Sequence, residues 1–354
     1  MRTVQLFWTY RLFFVIMKGK EKFQAIKTEG DIMAIRELGE FGLIDVIQEN
    51  TIFRPESVVV GIGDDAAAIR PPKDKLELFA TDMLVEDIHF TLDTIRPHDL
   101  GYKTIAVNLS DIAAMGGRPT QVVISMALRP DLDTSFVTEM YQGMKEICSE
   151  FGVNLVGGDT VSTKGPVVLN CAVLGEVAEP RLQRRSGARV GDWVAVTNTL
   201  GDSSAGCELL LKRKDAYTEA EEKLIKAHVK PRPQVELAKR IAEYATSMND
   251  VSDGLASESN ELAKAGQVCI RIDKDKIPLS DAMRKVSLEK EKTDYALYGG
   301  EDYQLIFTMP PTETQELIDR EITVIGEVIV GEAGVFLAEG GRQERLFPKG
   351  YQHF

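Results

Sequence analysis

Strand-length apolar runs alternate with helical periods along nearly the whole chain, and this alternation points to an α and β protein. SVVVG (57–61), LELFATD (76–82), TQVVISMAL (120–128), VNLVGG (153–158) and VVLNCAVLGEV (167–177) read as strands. Helices are expected at 33–48, 98–115 and 133–151, each ended by Gly or Pro. A second pattern opens with DWVAVTNTL (192–200) and runs through helices near 202–213, 217–228, 234–246 and 254–265. Strands near 268–272, 303–308 and 322–329 follow. Between the two patterns lies AEPRLQRRSGARVGD (178–192), rich in Arg, Gly and Pro, which places a domain boundary near residue 178. The 354 residues suit two domains of ordinary size, 31–178 and 179–354.

The N-terminal run VQLFWTYRLFFVIM (4–17) is shorter than the roughly 20 residues of a spanning helix and carries Arg11 in its middle. It lacks a signal cleavage site, and Met17 before KGKEKF reads as a second start. Residues 1–30 are therefore expected to be a misassigned or disordered extension, with a membrane-surface anchor as the other reading. The four cysteines, Cys148, Cys171, Cys207 and Cys269, are too scattered for a zinc pair or a disulfide framework and suit a reducing cytoplasm. With 42 Lys+Arg against 55 Asp+Glu, the net charge of −13 argues against non-specific nucleic-acid binding. An anionic substrate would need bound cations to approach such a chain.

GIGDDA (61–66) mimics the dinucleotide fingerprint G-x-G-x-x-A, but Pro71 and Pro72 block the helix that must follow. Asp64 and Asp65 would also repel a pyrophosphate. Adjacent carboxylates at a strand end instead suit a hard cation with oxygen ligands, or else a solvated turn. The same arrangement recurs in ATDMLVEDIHF (80–90), VNLSDIAAMGG (107–117), LVGGDTV (155–161), MNDVSDG (248–254) and LYGGEDYQL (297–305). Asn108 and Asp111 share one face of a helix whose neighbours Leu109, Ile112 and Met115 make it largely apolar, hence buried. Oxygen donors without a His/Cys pattern favour magnesium over zinc, and phosphoryl transfer uses several such ions. The chain has no GxxxxGK[ST], HExxH or GxSxG motif, so a nucleotide would need a different cradle.

From about Gly39 to Phe354 the ordered set GIGDDAA, TDMLVEDIHF, YKTIAVNLSDIAAMGG, GGDT, RSGARVGD, GDSSAG, DVSDGL, YGGEDYQL and KGYQHF resembles the bacterial thiamine-monophosphate kinase family. Its superfamily includes aminoimidazole-ribonucleotide synthetase, selenophosphate synthetase and a hydrogenase-maturation dehydratase. GGED and the KGYxHF ending favour the thiamine enzymes, and the reactive cysteines of the last two relatives are missing. The resemblance implies an α+β fold: an N-terminal mixed sheet of half-barrel type that pairs in a homodimer, and a sandwich-like C-terminal domain. It implies transfer of the ATP γ-phosphoryl group to thiamine monophosphate, with several Mg2+ ions. By motif position Asp64, Asp65, Thr81, Asp82, Asp111, Asp159, Asp250 and Asp253 would be metal ligands, and Asp82, Asp111 and Asp253 the catalytic ones. Gly157, Gly158, Arg185 and Ser252, with Tyr141, would meet ATP. His89, Glu301 and Tyr351 would meet the thiamine phosphate. Ala80 departs from the family, which often has Ser there. A related synthetase with another substrate, or a non-catalytic nucleotide or thiamine-phosphate binder, are the alternatives. Nucleic-acid and membrane partners are not expected.

Overall fold

The structure is a computed structural model that describes residues 34–62, 66–311 and 321–350. The expectations for residues 1–30, Asp64, Asp65 and Tyr351 lie outside the described residues. The first half runs α1 (Ile35–Ile47), β1 (Val58–Val60), β2 (Ala68–Ile69), β3 (Leu76–Val85), α2 (Pro97–Ala114), β4 (Arg118–Leu128), α3 (Thr134–Phe151), β5 (Asn154–Ser162) and β6 (Val168–Val177). The second runs β7 (Trp193–Thr197), α4 (Asp202–Lys212), α5 (Glu219–Val229), α6 (Val235–Ile241), β8 (Ser247–Asp250), α7 (Leu255–Gly266) and β9 (Cys269–Asp273). It ends with α8 (Asp281–Lys285), α9 (Lys292–Tyr298), β10 (Leu305–Met309), β11 (Ile322–Ile329), β12 (Gly334–Glu339) and β13 (Arg342–Arg345). The expected mixture of helix and sheet is present.

Strands β3, β6, β4 and β5 form one four-stranded sheet in that order, parallel only between β4 and β5. Alternation along β3 turns Leu78, Ala80, Asp82 and Leu84 toward the core, and Phe79, Thr81 and Met83 away from it. A seven-stranded sheet, β13-β12-β9-β11-β7-β10-β8, makes up the second half. One of its faces, through Ala195, Leu305 and Phe307, joins the core built on the first sheet. Its other face, through Val194, Ile270 and Ile306, packs a separate cluster beneath α7.

Helix α2 lies against β3 and β6 on one side and against α6 and β8 on the other. Fifteen of its 18 residues are buried, so it is enclosed on all sides rather than amphipathic. Leu100, Ile105 and Leu109 are wholly removed from water, each worth ~1.5–3 kcal/mol of hydrophobic free energy. Pro at its first position and the fixed φ it brings start the helix. At its crossing with α3 a Cβ on Gly101 would lie 1.8 Å from the Met140 carbonyl oxygen, so only glycine admits this approach.

Candidate functional site

Asp82 sits on the core-facing side of β3, where its own N–H donates to Asn108 Oδ1 at 2.9 Å. Asn108 in turn donates to the Thr104 carbonyl, so α2 is locked to β3 at the point where the carboxylate emerges. Three residues on, Asp111 leaves the same helix, and between them Ser110 Oγ donates to Asp250 Oδ2 at 2.6 Å. Asp250 ends β8, which pairs with β10 at the sheet edge. The fold thus brings a strand of each sheet to one helix.

These carboxylates disturb one another. Burial pushes Asp111 up to about 8, and the neighbouring Asp250 and Asp82 push in the same direction against Arg185. Burial raises Asp250 to about 6 although Ser110 stabilises its charged form. Asp82 is raised by burial and then by Asp253. Acids raised by burial and by each other form a site that gains from a cation.

Asp82, Asp111, Asp250 and Asp253 line one cavity of about 470 Å3. Ser252, His89 and Glu301 line it as well. The Ser252–Asp253 turn rests on Glu258, whose carboxylate accepts from the Asp253 N–H at 3.2 Å and from Asn249 Nδ2. Burial, with Asp250 nearby, pushes Glu258 up to about 8. Beside this turn Glu301 stands in the left-handed region, φ 67, its N–H held 2.6 Å from the Ser252 carbonyl. Lys103 and His228 flank its carboxylate. His89 Nδ1 accepts from the Val85 N–H at 3.0 Å, which fixes the ring over the cavity wall.

The other expected site residues lie elsewhere. Thr81 points to the open face of the four-stranded sheet, donating to the Cys171 carbonyl at 2.9 Å and accepting from Asn170. Asp159 is exposed on β5, the opposite edge strand, and shares that open face. Gly157 and Gly158 precede it. A Cβ at Gly158 would strike the Ile124 carbonyl at 2.1 Å, whereas Gly157 has ordinary room. Tyr141 is buried in the core on α3. Arg185 donates to Asn249 Oδ1 at 3.1 Å and lines a second cavity, of about 490 Å3, that shares Asp111 and Asp250 with the first. Among the described residues no three His, Cys, Asp or Glu side chains converge tightly enough to chelate one ion.

Sequence reasoning missed Lys103, His228 and Glu258. A lysine inside the apolar period of α2 was the available signal for the first. Glu258, one turn into α7 and five residues after Asp253, lies within helical reach of the turn it supports.

Two sheets share a carboxylate-lined cavity about one buried helix, and the chain that builds it matches the AIR synthase related proteins over both halves. The N-terminal domain of that description matches residues 63–177 and its C-terminal domain residues 189–338. Thiamine-monophosphate kinase of Aquifex aeolicus is 42% identical over 324 residues, 91% of this chain and 100% of that protein. The Bacillus subtilis enzyme of the same name is 38% identical over 328 residues, 90% of this chain and 100% of its own. A solved structure of AaThiL complexed with AMPPCP and TMP is 37% identical, covering 91% of this chain and 99% of that one, with a TM-score of 0.73. The thiamine-monophosphate kinase of Stenotrophomonas maltophilia has a TM-score of 0.77 at 31% identity, covering 84% of this chain and 96% of that one. The chain belongs to the thiamine-monophosphate kinase family.

Proposed function

We propose that this protein transfers the γ-phosphoryl group of ATP to thiamine monophosphate, giving thiamine diphosphate and ADP. The observation that carries this is the four carboxylates, Asp82, Asp111, Asp250 and Asp253, facing one cavity that Glu301 and His89 also line. The solved AaThiL complex, in which an ATP analogue and thiamine monophosphate were bound together, supports the same pairing of substrates.

An acceptor phosphate oxygen forms the new bond to the γ-phosphorus as the bond to the ADP oxygen breaks. With a second pKa near 6, the acceptor needs little help to lose its proton. The protein's task is then to align two polyanions. The donors fit Mg2+: they are oxygens, and burial and mutual repulsion raise Asp111 and Asp250 to about 8 and about 6. Asp82, Asp111, Asp250 and Asp253 would hold it together with oxygens of the bound phosphates; Asp64, Asp65, Thr81 and Asp159 join the set by motif position, Thr81 and Asp159 lying on the open face of the sheet. Bound Mg2+ would screen the phosphates and draw charge from the transferred group. Gly157, Gly158, Tyr141, Arg185 and Ser252 serve ATP in this reading, and Ser252 and Arg185 both border cavities that contain Asp250. His89, Glu301 and Tyr351 serve thiamine monophosphate.

The chain acts as two domains, 31–178 and 179–354, and as a homodimer in the cytoplasm, where its four unbridged cysteines stay reduced. Among the described residues no helix is long and apolar enough to cross a membrane. The dimer reading is supported by the open face of the four-stranded sheet, which exposes Phe79, Met83, Val123 and Val161.

The test is purified protein with ATP, Mg2+ and thiamine monophosphate, following ADP and thiamine diphosphate together. Matched, magnesium-dependent formation of both is expected. ADP without thiamine diphosphate would move the acceptor elsewhere in the superfamily.

A further inference from the structure

Lys103 is a cation with no solvent exposure, midway along the enclosed helix α2. Its Nζ lies 2.9 Å from each oxygen of the Glu301 carboxylate, a partner 198 residues away in sequence. His228 Nδ1 approaches the same carboxylate at 3.3 Å, and Ser203 Oγ lies 3.2 Å from that nitrogen. The Glu301 backbone is held in a left-handed conformation by its N–H bond to the Ser252 carbonyl. An ion pair that buries its lysine completely while its carboxylate still lines a cavity pays desolvation for little gain in stability, which points to use rather than to packing.

We propose that Lys103 is a positioning residue: it holds Glu301 as an ionised, acceptor-only carboxylate aimed into the cavity, which makes this end of the site selective for a group bearing hydrogen-bond donors or positive charge. The inference rests on the reading of Glu301 as the contact for the thiamine portion.

The surroundings show why Lys103 is needed. Burial drives Glu301 toward its neutral form, and Lys103 first, then His228 and His89, outweigh it and hold the carboxyl below its ordinary range. Burial first, then Lys103, pulls the His228 pKa down to about 3, so the ring is neutral beside Lys103, and burial still opposes its charge when Lys103 is removed. As a neutral ring it keeps Nδ1 between the Glu301 carboxylate and Ser203 Oγ. Cys207 on α4 and the adjoining Asp302 and Tyr303 complete the titratable surroundings, and none supplies positive charge. Without Lys103 the carboxyl would take up a proton, become a donor as well as an acceptor, and lose the bonds that orient it.

Steady-state kinetics of Lys103→Met, Lys103→Arg, Glu301→Gln and the Lys103→Met/Glu301→Gln double variant test this. Lys103→Met should raise KM for thiamine monophosphate on the order of tenfold at neutral pH, with KM for ATP unchanged. That KM should recover as pH rises and Glu301 ionises, a limb the wild type lacks. Lys103→Arg should restore most of the loss, and the double variant should bind no worse than Glu301→Gln alone. Equal rises in both KM values, a pH profile parallel to the wild type, or additive losses in the double variant would overturn the proposal. If Lys103→Met does not fold, Lys103→Arg and the double variant, which leaves no unpaired buried charge, carry the comparison. A wild type inactive on thiamine monophosphate would sink the functional reading alone. The pair would then be judged by the Glu301 carboxyl titration in carbon-13 NMR, assigned by its loss in Glu301→Gln. A Glu301 pKa no higher in Lys103→Met than in the wild type would refute the role of Lys103.

Discussion

Asp111 leaves a buried helix between two other carboxylates, and its position alone makes its charge costly to the folded protein. Asp111→Asn keeps the shape and removes the charge that a cation would answer. Activity should fall by about 10²–10³ in kcat while circular dichroism stays that of the wild type, and turnover like the wild type's would take Asp111 out of the site. Asp82 was legible at the end of the apolar run 76–82 and Asp253 beside Gly254, and Asp111 because Leu109, Ile112 and Met115 make its helix apolar around a charge. Lys103 and His228 were not, since a lysine or histidine in a helix acquires its meaning only from a partner such as Glu301, supplied by a distant loop. Thr81 was legible as a member of a motif, but the strand's period of two turns its hydroxyl to the face opposite Asp82.

Long elements with a clean period announced themselves, among them α2, α3, β4 and β6. β8 did not, because of its four residues, Ser247, Met248, Asn249 and Asp250, only Met248 is apolar, and its burial comes from the neighbouring strand. β12 and β13 form a hairpin whose second strand is wholly exposed and polar, so the signal that could have found it was the Gly340–Gly341 turn, φ 56 and 79. α8 has five residues and begins only where Ser280 Oγ accepts from the Met283 N–H. The α2–α3 crossing gives a test at this scale: Gly101→Ala forces the helices apart and should cost about 1–3 kcal/mol in denaturant unfolding. α5 gives another. Its capping box ties Thr218 to Glu221, and the Lys214 hydrogen bond, then the Thr218 N–H, hold the Glu221 carboxyl down to about 2. A depressed carboxyl stabilises the fold above its unfolded pKa of 4.5, and that gain is lost as pH falls toward 2. Glu221→Gln should therefore lower Tm at pH 7 and lose its penalty as pH falls from about 4.5 to about 2, most of the effect being local to the cap. A penalty independent of pH would assign the loss to packing.

At the scale of the whole molecule, the four-stranded sheet is finished on one side only. Its core-facing side is covered by α2, while Phe79 on the other is 72% exposed beside Val123 and Met83. Light scattering at micromolar concentration should give twice the 39.2 kDa chain mass, and Phe79→Lys with Val123→Lys should give the single chain; a wild type that is already monomeric would end the pairing idea. The enclosed helix α2 has a different consequence. Lys103, Asn108, Ser110 and Asp111 leave it in different directions, toward Glu301, β3, β8 and the cavity. One inserted residue within it would turn everything beyond by roughly 100°. Several distant partnerships would then fail together. The helix works as a keyed shaft, free to accept a change of teeth at a single position but not a change of phase.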